Sequence, residues 1–200
     1  MALVLAAGCG LAGCEGAPVE QVEGARREVD AARQAEADKY AAEEFAQLED
    51  SLRAGLIELD RQQAQFGILR DYEAARHALG WTAARAGQVR QQAQENKESL
   101  GQVAADALKM ASTDVEATAS SVAKIPRRTE YLEEIHSFKS DLKALRAALQ
   151  EINADLRAEN FEQVQTKAKA VQGQAERLRR EVRGVMAQEG LLAPRAGKRR

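Results

Sequence analysis

Apolar residues recur along this chain at spacings of three and four and almost nowhere in strict alternation, which is the pattern of amphipathic helices rather than strands. From Val19 to about Asp38, a stripe through Val22, Ala25, Val29 and Ala32 predicts a first, weakly apolar helix. Pro18 stands where a first helical turn tolerates it. Tyr40-Ala41-Ala42-Glu43-Glu44 marks a turn or a bend, with no Gly or Pro to enforce a stop. A second helix carries Phe45, Leu48, Leu52, Leu56, Leu59 and Phe66, most of them on one face, and ends near Gly67. Asp71 offers an N-cap oxygen to the next helix. There Tyr72, Ala75, Leu79, Thr82, Ala86, Val89 and Ala93 follow with alternating gaps of three and four, a coiled-coil seam. A short loop between matched seams predicts an antiparallel hairpin over residues 42–97.

Beyond Asn96 two readings compete. Ser99 and Gln102 have the spacing of a capping box, which favours a break between Lys97 and Gly101. The periodicity through Leu100, Val103, Ala107, Met110, Val115, Ala119 and Val122 favours a continuous helix, and continuity with a bend is the better fit. A helix from Asp71 to Val122 would be roughly 75 to 80 Å long at 1.5 Å of rise per residue. Ile125-Pro126 ends it, because the residue before a proline is pushed out of helical geometry. Thr129 is placed to cap a further helix bearing Leu132, Ile135, Phe138, Leu142, Leu145, Leu149, Ile152 and Leu156. After a turn at Arg157 to Asn160, with Asn160 and Gln163 as a capping pair, Phe161, Val164, Ala168, Val171, Ala175, Leu178, Val182 and Val185 form the last seam. A second hairpin over about 129–188 follows. The two hairpins share an aromatic in the first turn beside an acid, Arg70-Asp71-Tyr72-Glu73 against Glu159-Asn160-Phe161-Glu162. Duplication would leave that likeness, and antiparallel pairs also converge on it. The predicted fold class is all-α: elongated helical hairpins or a coiled-coil-like bundle, with no sheet.

Composition narrows the kind of core. Hydrophobic residues make up 44% of the 200, yet aromatics are only 4% and there are three prolines. Much of the apolar share is alanine, which favours helix and buries little area, so a thin core is expected. The net charge of -2 conceals an asymmetry: residues 15–60 hold 13 acids against 5 bases, and residues 177–200 hold 8 bases against 2 acids. A basic end of this kind fits a contact with an anionic surface, through Arg177, Arg179, Arg180, Arg183, Arg195, Lys198, Arg199 and Arg200. The plainer reading has the helix arginines pairing with Glu176, Glu181 and the acids of the first helix. No interleaved aromatics or known motif points to nucleic acid.

Both cysteines, Cys9 and Cys14, lie near the N-terminus, so the body of the chain has none for a disulfide or a thiolate metal site. Leu11-Ala12-Gly13-Cys14 has the form of a lipobox, in which Cys14 receives a lipid and the small residues before it admit a peptidase. Residues 1–13 are uncharged and read as the apolar part of an export signal; the missing basic start leads us to expect a true start upstream of Met1. Residues 14–17 then form a lipidated tether, 18–97 an N-terminal helical hairpin region, 98–128 a helical connector, 129–189 a C-terminal hairpin and 190–200 a disordered basic tail.

Pro18, the spaced Ala25, Ala31 and Ala32, the Tyr40-Ala41 step and Asp71-Tyr72-Glu73-Ala74-Ala75 together resemble domain-of-unknown-function family 4398, found in alanine-rich bacterial envelope lipoproteins. The resemblance covers roughly residues 18–95, and Ala42 departs from it where family members often carry proline. It implies an envelope lipoprotein with no assigned catalytic residues.

Catalytic patterns are missing from the sequence. His77 and His136 are isolated, and no zinc-binding His-Glu-x-x-His, nucleophile elbow or phosphate-cradling glycine loop occurs. Neighbouring acids such as Glu43-Glu44 and Glu133-Glu134 diverge on a helix. The expectation is therefore a non-enzymatic protein without metal or cofactor, anchored in the bacterial envelope and facing the periplasm, with the outer membrane favoured because Glu15 is not the aspartate of inner-membrane retention. Its partners would be the membrane through the lipid, peptidoglycan or an envelope protein, and a second copy through the helical seams. The alternative is a periplasmic carrier or chaperone holding an apolar ligand or unfolded peptide between hairpins, lined by Tyr72, Trp81 and Phe161.

Overall fold

The computed structural model describes residues 16–188. Among them the chain is all-α, with helices α1 (Val19–Gln34), α2 (Ala37–Tyr40), α3 (Ala42–Gln63), α4 (Glu73–Val122), α5 (Leu132–Arg157) and α6 (Phe161–Gln188), and no strand. The described residues divide into two compact units, 16–97 and 98–188, and α4 contributes its first half to one and its second half to the other.

The first unit is a three-helix bundle. Its core is the predicted stripes: Ala25, Val29 and Ala32 of α1, Phe45, Leu48 and Leu59 of α3, and the whole seam from Tyr72 to Ala93, every position of which is buried. Gln92 Nε2 donates to Glu44 at 2.8 Å near one end, and the Asp71 N–H donates to Gln62 Oε1 at 3.0 Å near the other, so α3 and α4 run antiparallel. Glu28 meets Arg90 and Glu36 meets Lys97, so α1 runs parallel to α4. Close approach of α3 to α4 is built on Gly55, where a Cβ would lie 3.1 Å from Leu79 Cδ2. Asp71 caps α4 as expected, its Oδ1 accepting from the Glu73 N–H at 2.9 Å.

Two expectations are corrected in this unit. The first helix stops at Gln34 rather than near Asp38: Glu36 takes a left-handed φ of 58°, and a second irregularity falls at Ala41, φ -144°. Tertiary contacts hold this turn in place of a glycine or proline. Asn96 Nδ2 donates to the Tyr40 carbonyl at 2.7 Å, and Lys97 pairs with Glu36 while its ammonium lies 5.6 Å from the centre of the Tyr40 ring. Phe66, assigned above to the buried face of the second helix, lies beyond the end of α3 and is 82% exposed.

The second unit is also a three-helix bundle. Residues 98–122, expected to connect two hairpins, form its first helix and bury Ala104, Ala111, Val115, Thr118 and Val122 against α5 and α6. The helix runs through Lys97 to Gly101 without a break, so the Ser99–Gln102 spacing caps nothing there. Its buried stripe departs from the expected one over the first part, where Leu100, Val103 and Met110 are exposed and the seam follows Ala104 and Ala111 one position on, and rejoins it at Val115 and Val122. Small residues let the helices close up. At Gly101 a Cβ would come within 3.3 Å of Phe161 Cζ. Arg146 meets Glu116 and Lys167 meets Asp155 at 2.6 Å, so α5 is antiparallel to both of its neighbours. The predicted faces of α5 and α6 hold except at Leu132, which is exposed: Ile135, Phe138, Leu142, Leu145 and Ile152 pack on Val164, Ala168, Val171, Ala175, Leu178 and Val182.

Around the α4–α5 connection, Ile125 is buried beside Pro126 and α4 ends three residues earlier. Thr129 makes no side-chain cap; it opens a 3-10 turn, Thr129–Tyr131, from which α5 begins. The α5–α6 turn follows a Schellman pattern, with the Asn160 N–H on the Asp155 carbonyl at 3.0 Å and the Glu159 N–H on the Leu156 carbonyl at 3.1 Å.

Candidate functional site

Of the residues expected at a functional site, Cys14, Arg195, Lys198, Arg199 and Arg200 lie outside the described residues. The other four are on α6, and the helix separates them. Arg177, Arg180 and Arg183 recur every three residues and are exposed. Arg179 faces α4, where its Nη2 donates to Asp114 Oδ1 at 3.0 Å and to the Asp114 carbonyl at 2.9 Å, with Nε 3.4 Å from the Thr118 hydroxyl. That hydroxyl is fully buried and donates to the Asp114 carbonyl at 2.7 Å. Arg179 is thus a strut between α4 and α6, and the exposed basic row consists of the other three.

The N-terminal end of α1 is where the tether would join the fold. Gly16 is fixed there, its carbonyl accepting from Arg76 Nη2 at 3.0 Å, and Ala17 and Val22 pack on the cluster of Leu59, Tyr72 and Ala75. The α3–α4 loop closes the same end. Gln62, in the last turn of α3, is buried beneath it, donating to Glu58 Oε1 at 2.8 Å and accepting from the Asp71 N–H, while Arg70 donates to the carbonyls of Gln63 and Gln65. These bonds hold a 3-10 turn, Gly67–Leu69, that presents Phe66, Ile68 and Leu69 at 82%, 92% and 63% exposure. Sequence reasoning missed this apolar knuckle. The available signal was three large apolar residues within four positions around a glycine, which no helical phase can bury on one side.

Two shallow grooves of about 390 Å³ each cross the bundles. The one between α1 and α3 has an apolar floor of Val29, Leu52 and Leu56 below Arg26, Arg33 and Arg53. Its charges are largely internal: Arg33 donates to Asp30 at 2.9 Å and to Glu49 at 2.6 Å, a pairing that raises its pKa, and its guanidinium lies 5.5 Å from the centre of the Phe45 ring. The other lies between α4 and α5, along Leu108, Lys109, Ser112, Leu149 and Asn153. Neither groove holds a histidine; His77 and His136 are exposed on α4 and α5. No group of three or more acids, histidines or cysteines among the described residues could hold a metal ion, and none of the described helices is long and apolar enough to cross a membrane. Of the aromatics expected to line a ligand groove, Tyr72 is in the core of the first unit, Phe161 packs on the core of the second, and Trp81 is half exposed on α4.

The described residues define an all-α protein of two three-helix bundles that draw on one 50-residue helix. Its distinctive surfaces are the apolar knuckle, the row of three arginines on α6 and two charged or polar grooves. Comparison with known proteins returns nothing: no family model, no curated protein and no solved structure matches this chain.

Proposed function

We propose that this chain is a lipid-anchored helical protein of the bacterial cell envelope, exported, acylated at Cys14 and acting without catalysis as a scaffold, spacer or partner-binding surface. The observation that carries the reading is Leu11-Ala12-Gly13-Cys14 standing two residues ahead of Gly16, the point at which Arg76 fixes the chain to the first bundle. A lipid at Cys14 would then be joined to the fold by almost no slack. Glu15 in place of aspartate favours the outer membrane. Expression from an upstream start with labelled palmitate tests it. The expected outcome is a labelled, membrane-bound protein whose label is lost on Cys14→Ser; a soluble, unlabelled product would sink it.

The basic end suits an anionic partner such as cell-wall polymer. Arg177, Arg180 and Arg183 supply the exposed row on α6, and Arg195, Lys198, Arg199 and Arg200 add charge beyond it. Such an attraction is governed by charge and weakens with salt. Co-sedimentation with peptidoglycan should fall between low and high salt, and fall again on replacing the three exposed arginines. Binding that is indifferent to both would remove this partner.

A further inference from the structure

We infer that the knuckle formed by Phe66, Ile68 and Leu69 inserts into the bilayer to which Cys14 is anchored, giving the first bundle a second, apolar foothold on the membrane. The inference rests on the lipid-anchor reading above and deepens it.

Two observations converge. The knuckle is the most exposed group of large apolar side chains among the described residues, and its two ends are held: Arg70 ties back to the carbonyls of Gln63 and Gln65 just before it, and Gln62 ties its exit to α4. Large apolar residues presented together on a turn mark an interaction surface, whereas single ones scattered over a surface need no explanation. The knuckle also shares an end of the bundle with Gly16, since Arg76 and Tyr72, one turn apart at the start of α4, contact the tether and its neighbours respectively. Two residues span at most about 7 Å, so a lipid on Cys14 brings this end, and not the end at Glu36 and Lys97, against the bilayer. Acidic and basic residues are mixed around the knuckle, Asp60, Arg61, Arg70, Asp71 and Glu73, so insertion rather than charge is the attraction.

The test uses the full chain with Cys9→Ser, so that Cys14 can be coupled to a maleimide lipid in phosphatidylethanolamine and phosphatidylglycerol vesicles. Trp81→Phe removes the single native indole, and Ile68→Trp or Asp38→Trp places one at the knuckle or on α2 at the opposite end of the bundle. Vesicles with brominated acyl chains should quench the indole at position 68 roughly twofold, unchanged by salt, and leave the one at position 38 within about a tenth of its starting intensity. Quenching that is absent at position 68, or equal at the two positions, overturns the proposal. So does an indole at position 68 already shielded without vesicles in the full chain and exposed in a chain starting at Cys14, because residues 1–13 would then be what covers the knuckle. In a second measurement, Phe66→Ser with Ile68→Ser should lower vesicle partitioning of the uncoupled Cys14→Ser chain on the order of tenfold, with circular dichroism unchanged. Because coupling supplies the tether by hand, the knuckle can fail while palmitate labelling succeeds, and the reverse.

Discussion

Glu36 and Glu159 are the two non-glycine residues with positive φ among those described, each at 58°. Both follow the end of a helix, where glycine is the usual residue because a Cβ is crowded in the left-handed region. Glu159→Gly should therefore raise stability by about 0.5 to 1 kcal/mol, read as an upward shift of the urea midpoint with unchanged m-value. At Glu36→Gly the loss of the pairing with Lys97 offsets part of the gain. That pairing also sets a pH dependence. The hydrogen bond from Lys97, opposed by partial desolvation and aided by the charges of Lys97 and Lys39, holds the Glu36 carboxyl below its ordinary value of 4.5. A depressed carboxyl contributes stability that is complete above the ordinary value and is lost as pH falls through the depressed one. Lys167 is the mirror case: Asp155 raises it above 10.5, so its contribution is complete below that value and is lost as pH rises through the raised one. Denaturation against pH should show Glu36→Gln flattening the acid limb and Lys167→Met the alkaline limb; unchanged limbs would contradict both assignments.

Helices α1, α3 and α4 carry glycines whose costs differ with their neighbours. A Cβ on Gly24, inside α1, would meet nothing within 4 Å, so Gly24→Ala should stabilise by about 0.5 to 1 kcal/mol through helix propensity alone. At Gly55 the new methyl would press on Leu79 at 3.1 Å, and the gain should be cancelled or reversed. Comparing the two variants in urea separates propensity from packing. Leu79 itself is fully buried, and Leu79→Ala should cost about 2 to 4 kcal/mol. Between α4 and α6, Arg179→Ala leaves Asp114 without its cation and should cost about 1 to 2 kcal/mol after allowing for partial solvent access. Arg177→Ala and Arg180→Ala, on the exposed row, should change stability by less than about 0.5 kcal/mol. Equal losses at positions 179 and 180 would show that the strut carries no weight.

Across the whole molecule, charge and apolar surface are sorted in ways that bear on the proposed role. Bases gather toward the C-terminal end of the sequence, while the acids of α1 and α3 are drawn partly into pairs, Arg33 with Asp30 and Glu49, Arg53 with Asp50, Arg61 with Glu58. Exposed pairs of that kind add little stability each, so the bundles depend on their thin alanine-rich seams. Leu100, Val103 and Met110 remain exposed on α4 because the seam there runs through Ala104 and Ala111.

The helices themselves, the seams of α5 and α6, the seam of α4 as far as Ala93 and the stop before Pro126 were all legible in the sequence. Three- and four-residue periodicity and the proline restriction are local properties, and they survive whatever the helix packs against. The phase of α4 between Ala93 and Val115 was not, because alanine fits a seam or a surface equally well, and which alanines are buried depends on how closely α5 and α6 approach. The turn at Glu36 was hidden for a related reason: no glycine or proline announces it, and Asn96 and Lys97, sixty residues away in sequence, hold it in place. Tertiary structure alone likewise turned Arg179 inward onto Asp114, a contact between segments whose separation no local pattern records, while Phe66 is exposed because α3 ends three residues before it.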